Sequence, residues 1–338
     1  MIKELSKHIL PIFIIIRLFS SCIEEPKLAP NTAEGNFEAL WNIIDTRYCY
    51  LDYKHINWDS IHIVYKKELL KDTTEEGVFD CMDRMLDELK DGHVNLYSDF
   101  NRSRYWKWYT DYPSNFSSSI INSDHYLGRN YRIAGGLKYA KIANGTIGYV
   151  YYGDFMASFS EANVSSIFKY FSTCKGLILD VRNNGGGSLA YSEQLASYFF
   201  EKETLTGYMR HKIGNGHNSF SKPFAIKTTA NKDIKWQKPV MVLTNRLSYS
   251  ATNDFVNRMK MSPHAKIIGD KTGGGGGMPL SSELPNGWMV RFSAVPMYNT
   301  KMENTEWGID PDVSDSLTVA DKAKNIDTII ERAISLIE

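Results

Sequence analysis

Residues 177–188 read LILDVRNNGGGS. An unbroken apolar run ends at Asp180, turns through three glycines and leads into LAYSEQLASYFF, a helical pattern. A strand that is apolar at every position has both faces covered, which is the mark of a parallel sheet inside an α/β core. The neighbouring segments keep the same rhythm. TIGYVYYGDF (146–155) reads as a strand and EANVSSIFKYF (161–171) as a helix. KPVMVLTN (238–245), ATNDFVNRMK (251–260) and KIIGD (266–270) continue as strand, helix and strand. Strands alternating with helices predict an α/β fold with a largely parallel sheet. An amphipathic helix around IDTIIERAISLI closes the chain.

Upstream the periodicity is helical. Phe37, Leu40, Trp41 and Ile44 recur on one face, DSIHIVYKKELL suggests a second helix, and Val78, Cys81, Met82, Met85, Leu86 and Leu89 mark a third. A capping box of Thr73 and Glu76 is expected to open that third helix, and Asp91-Gly92 to stop it. VNLYS then alternates like a strand. Residues 100–140 are aromatic and polar, with room for hairpin strands.

With 338 residues and 39 basic against 39 acidic side chains, the chain is neutral and large enough for real cores. No basic face or motif points to nucleic acid. At the N-terminus Lys3 and Lys7 precede ILPIFIII and RLFSSC, an apolar stretch too short to span a membrane and suited to a signal segment. Cys22 after two serines resembles a lipidation site, which predicts a signal peptide over 1–21 and a polar tether over 22–35. It also predicts a membrane anchor at the cell envelope, on the periplasmic face or the outer-membrane surface. Cys49, Cys81 and Cys174 are scattered and make neither a disulfide framework nor a CxxC pair. No metal-ligand set stands out, and no cofactor is expected.

Three turns carry chemistry-bearing residues. The glycines of NNGGGS free backbone N–H groups to face an anion. In VLTNRLSYSATNDF (242–255), Ser250 stands at a helix start, where it is either a plain N-cap or an exposed nucleophile. In LKDGHVNL (89–96), His93 is either a surface histidine or a general base. A fourth, IIGDKTGGGGGMP (267–279), has its glycines after the Lys-Thr pair. That order excludes a phosphate loop, and strand-like flanks exclude a linker.

Together these segments resemble peptidase family S41, the tail-specific and tricorn-type serine proteases. DVRNNGGG is similar to the family's Asp-Leu-Arg-Asn-Asn-x-Gly-Gly signature. LTNRLSYSA is similar to its nucleophile segment, IGDKTGGG to its Gly-(Glu/Asp)-Lys-Thr block, and GIDPDV (308–313) to its Gly-Ile-x-Pro-Asp element. The resemblance implies a ClpP/crotonase-like α/β core over 145–338, preceded by a small helical N-terminal domain (36–98) and a β-rich connecting segment (99–144). It implies hydrolysis of peptides or unfolded proteins through an acyl-enzyme on Ser250. The Ala251 N–H, with that of Gly186 or Gly187, would hold the oxyanion.

The tail-specific branch takes its base from the second lysine of Lys-Thr-Phe-Gly-Lys-Gly. Here Lys271 matches the first lysine and Gly275 the second, so the base is missing. The tricorn-type branch uses a histidine in an Asp-x-His segment and a late glutamate, which makes His93 the expected base, titrating near neutral pH, and Glu306 its support. Asn253 stands where the lysine branch has a glutamate. Lys271 is the alternative base, and a non-catalytic ligand- or peptide-binding protein the alternative class. About 45 residues between NLYS and IGYV leave no space for an inserted PDZ domain.

Overall fold

The computed structural model describes residues 29–338. The expected signal segment, Cys22 and the first part of the tether lie outside the described residues. Three helices open the described chain: α1 (Ala33–Arg47), α2 (Trp58–Leu69) and α3 (Glu75–Asp87). Helix α1 starts earlier than expected because Thr32 caps it, accepting from the Gly35 N–H. Phe37, Leu40 and Ile44 are buried as its periodicity requires. The cap of α3 is Thr74 rather than Thr73. Asp72 accepts from the Thr74 N–H, and that contact sets Thr74 Oγ1 to accept from Gly77. The left-handed residue after α3 is Lys90 (φ 49°), not Gly92. Strand β1 (Asn95–Tyr97) follows.

Residues 98–146 hold two one-turn helices, α4 (Lys107–Thr110) and α5 (Ser118–Ile121), and the hairpin β2 (Arg132–Ala134)–β3 (Leu137–Ile142). Ile120, Ile121, Tyr126 and Leu127 from this segment are buried against the main sheet, so it is part of the core.

The remainder runs β4 (Ile147–Tyr152), α6 (Glu161–Tyr170), β5 (Gly176–Asp180), α7 (Leu189–Ser197), β6 (Thr204–Met209), β7 (Phe224–Thr228), β8 (Val240–Thr244), α8 (Ala251–Met259), β9 (Ala265–Gly269), β10 (Gly277–Glu283), β11 (Met289–Tyr298), β12 (Val313–Ser314), α9 (Val319–Ala323) and α10 (Thr328–Ile337). The main sheet has seven strands in the order β12-β9-β8-β5-β4-β3-β2. It is parallel from β12 to β4 and antiparallel through β3 and β2. Leu177, Leu179, Val240, Val242 and Ile267 pack in one core with residues of α6, α7 and α8. Ile178, Met241, Leu243 and Ile268 pack in another with Ile329 and Ile330 of α10. Alternate side chains of β5 and β8 therefore enter opposite cores, as an apolar run covered on both faces must.

A second sheet is antiparallel, in the order β1-β11-β6-β7, with β10 on the other side of β11. Its β11 contributes Val290, Phe292, Ala294 and Val295 to the core of α1–α3. The parallel strands β5, β8 and β9 end together at one edge, where the motif-bearing turns follow.

Candidate active site

The turn after β5 is anchored from below. Arg182 is fully buried and pairs with Asp180 (2.6 Å) and Asp327 (3.0 Å). Asp327 also caps α10 by accepting from the Ile329 and Ile330 N–H groups. The charged residues of the DVR motif thus tie the turn to the last helix. Asn184 then sets the glycines. Its Nδ2 donates to the Tyr152 carbonyl, and its Oδ1 accepts from Gly186 N–H and Thr252 Oγ1.

Ser250 precedes α8 with φ 59° and ψ −119° and gives no side-chain cap to the helix. A non-glycine residue held at positive φ stores strain, here at a sharp strand-to-helix turn. Backbone contacts to the two neighbouring glycine turns hold it there. The Tyr249 N–H donates to the Asn184 carbonyl (3.1 Å) and the Ser250 N–H to the Gly274 carbonyl (2.9 Å).

The five glycines have a steric reason. This run threads between the Ser250 turn and the loop of Glu306. A Cβ on Gly274 (φ 87°) would lie 1.8 Å from the Glu306 carbonyl oxygen, and one on Gly275 (φ 72°) 2.5 Å from the Tyr249 ring. Tyr249 therefore occupies the space against the position where the lysine-dependent branch is expected to keep its base. Gly275→Lys is expected to lower stability by about 2–4 kcal/mol, from overlap plus backbone strain. It should restore no turnover to a His93 variant, which urea unfolding and a peptide assay would check. Lys271 Nζ pairs instead with Asp310 (3.4 Å) and forms no hydrogen bond to Ser250 among the described residues.

His93 arrives from the other sheet. It sits between α3 and β1, and the pairing of β1 with β11 carries it to the edge where Ser250 emerges. Its Nε2 lies 2.9 Å from Ser250 Oγ, across 157 positions of sequence. The residue is 3% exposed, and its ring packs on Tyr249, which stacks on Trp108 of α4 at 4.1 Å between centroids. Its Nδ1 makes no hydrogen bond among the described residues, although the Gly277 backbone lies close.

Burial dominates the titration of His93 and pushes it down to about 4, with Asp91 opposing and Arg291 assisting. The imidazole is therefore neutral at neutral pH, the form a general base needs, and the near-neutral titration expected from sequence is displaced downward.

Glu306 does not touch His93 among the hydrogen bonds of the described residues. Its Oε1 pairs with Lys54 Nζ at 2.7 Å, and Lys54 lies 3.7 Å from Asp91. Asp91 accepts from the His93 N–H, from Tyr48 and from Ser293. Burial and the neighbouring Asp91 push the Glu306 carboxyl up to about 8, against the opposing pull of Lys54. Among the described residues the Glu306 carboxyl is linked to the histidine through Lys54 and Asp91. Asp91 was within reach of the Asp-x-His motif, whereas Lys54 has no signal in sequence. Lys54→Met is expected to cost about 3–5 kcal/mol, because two carboxyl groups are left buried without a cation. Adding Glu306→Gln should recover part of that loss in a double-mutant cycle followed by urea unfolding.

The three expected oxyanion donors differ. The Gly186 N–H is committed to Asn184 Oδ1 at 3.0 Å. Those of Gly187 and Ala251 have no acceptor among the described residues. Asn253, in the place of a glutamate, bridges Thr305 and Thr272. No cluster of three or more potential metal ligands occurs among the described residues.

Comparison with known proteins bears on the family and the fold. A Parabacteroides merdae crystal structure of a candidate peptidase superposes with TM-score 0.87 at 50% identity, covering 91% of this chain and 97% of that one. The structure of mature CPAF complexed with lactacystin, at 12% identity and TM-score 0.65, covers 90% and 97% and shares the fold. A protein of Staphylococcus saprophyticus described as a CtpA-like serine protease is 30% identical over 174 residues, which is 50% of this chain and 33% of that protein. The chain spans about a third of the length of such curated relatives. The Tricorn protease C1 domain profile matches residues 29–87, and the Peptidase family S41 profile residues 146–315. The second match takes in both the glycine turn after β5 and the Ser250 turn after β8, and on it the chain belongs to peptidase family S41.

Proposed function

We propose that the protein is a serine-type peptidase that cleaves peptides or unfolded proteins through an acyl-enzyme on Ser250. The observation that carries this reading is the 2.9 Å contact between Ser250 Oγ and His93 Nε2, made by a serine held at positive φ. As Oγ attacks the scissile carbonyl, its proton passes to His93 Nε2. The oxyanion develops toward the Ala251 and Gly187 N–H groups. The imidazolium then protonates the leaving amine. A water molecule, deprotonated by the same nitrogen, releases the acyl group and returns the proton to Ser250. Asp91, ionised and bonded to the His93 backbone, favours the transient imidazolium. Lys54 and Glu306 are assigned the positioning of Asp91.

A fluorophosphonate probe tests this reading. It should label Ser250, and an unlabelled wild-type protein would refute the reading.

We also propose that Cys22 carries a lipid that holds the protein at the cell envelope. Metabolic labelling with an alkyne fatty acid should tag the wild type and not Cys22→Ala, which should leave the membrane fraction.

A further inference from the structure

Two cavities meet at Ser250 and His93, and Arg291 lines both. One, of about 380 Å³, is walled by Arg102 and Arg104 together with tyrosine and tryptophan side chains. The other, of about 320 Å³, is lined by Leu189, Met278, Pro279 and Met297. Among the described residues no aspartate or glutamate lines either cavity. The chain as a whole is electrically neutral, so three cations here are a local concentration of charge.

The two wall arginines are held in place. They flank Ser103, which is pinned to β1 by three hydrogen bonds. Its N–H donates to the Leu96 carbonyl, its Oγ accepts from the Leu96 N–H, and its carbonyl accepts from Asn95 Nδ2. The Arg102 guanidinium lies over the Tyr97 ring at 5.5 Å and that of Arg104 over Trp106 at 5.7 Å. None of the three guanidiniums has a salt-bridge partner among the described residues. A stacked guanidinium keeps its in-plane donors free for a carboxylate.

We infer that this cleft selects peptides carrying acidic side chains on the side of the scissile bond that lies against Arg102 and Arg104. An apolar side chain enters the second cavity. This specificity rests on Ser250 and His93 being the peptidase centre.

The test separates the two readings by measuring binding apart from turnover. Dye-labelled, C-terminally amidated peptides are titrated into Ser250→Ala protein and followed by anisotropy. A peptide with aspartate and glutamate is expected to bind about 10-fold tighter than its asparagine and glutamine counterpart. The preference should shrink as salt rises from about 0.05 to about 0.3 M. Arg102→Glu with Arg104→Glu, both exposed, should abolish or reverse it, with the thermal melt unchanged. A neutral peptide with a free C-terminus forms the other arm. Equal affinities, a preference indifferent to the double substitution, or a gain only from the free C-terminus would each overturn the inference. Binding preference without wild-type cleavage would instead sink the peptidase reading, and with it the reference to a scissile bond, and leave only a cleft that binds acidic peptides.

Discussion

Ser250→Ala is expected to lower kcat by about 10⁴-fold or more, since it removes the hydroxyl that forms the acyl-enzyme. Its stability should stay close to wild type, because alanine inherits the same φ 59° and ψ −119° and loses one hydrogen bond. Ser250→Gly supplies the sharper comparison. Both variants lack Oγ, so both are inactive, but glycine tolerates positive φ. Ser250→Gly is expected to be about 1–2 kcal/mol more stable than Ser250→Ala, the strain released at the turn. Urea unfolding of the pair reads that difference directly. If glycine were the less stable of the two, the Ser250 backbone would not be strained, and the case for a turn shaped around an exposed nucleophile would weaken.

The same turn marks how far sequence reasoning reaches. Strands β5, β8 and β9 are legible because both their faces are buried, so apolar residues run without interruption and end at polar turns. Ser250 alone is ambiguous with an N-cap, and only the company of other motifs at matching spacing separates the two. The meeting of His93 with Ser250 is not legible from local pattern. It depends on β1 pairing with β11, two strands almost 200 positions apart, and on that second sheet meeting the Ser250 turn of the main sheet. Strands β7 and β10 escape detection for a different reason. Much of their surface is exposed at sheet edges, so no alternation of apolar and polar residues marks them. The glycine run is visible in sequence, but its cause is not. The cause lies in the Glu306 carbonyl and the Tyr249 ring, which press on it from either side. Lys54 shows the limit most clearly: one lysine among many in an N-terminal loop, it becomes the buried cation between Asp91 and Glu306 only once the tertiary fold is known.

His93→Gln is expected to lower kcat by a further large factor, about 10³–10⁴-fold, by removing the base while keeping a neutral side chain of similar bulk. Its pH behaviour distinguishes a buried base from a merely structural histidine. Activity requires the neutral imidazole, and burial holds the titration near 4. The acid limb of kcat/KM for the free enzyme should therefore fall near pH 4. At pH 5.5 the wild type should keep about tenfold more of its plateau rate than a base titrating at 6.5 would allow. Stability carries the same signature with a definite sign. Between pH 6.5 and 4 the unfolded chain takes up a proton on this histidine and the folded chain does not, so stability falls as pH falls through that window. The loss is roughly 3 kcal/mol in full and about 2 kcal/mol by pH 5. Glu306 works in the opposite direction. Its raised carboxyl binds a proton in the folded state first, so its contribution grows as pH falls from about 8 toward the usual carboxylate range. The two trends partly cancel in the wild type, and only the difference between wild type and His93→Gln isolates the histidine. That difference should narrow by about 2 kcal/mol between pH 7 and pH 5 in urea unfolding. A difference that stays constant with pH would mean that His93 titrates in the folded protein as it does in the unfolded chain, and the buried neutral base would be lost with it.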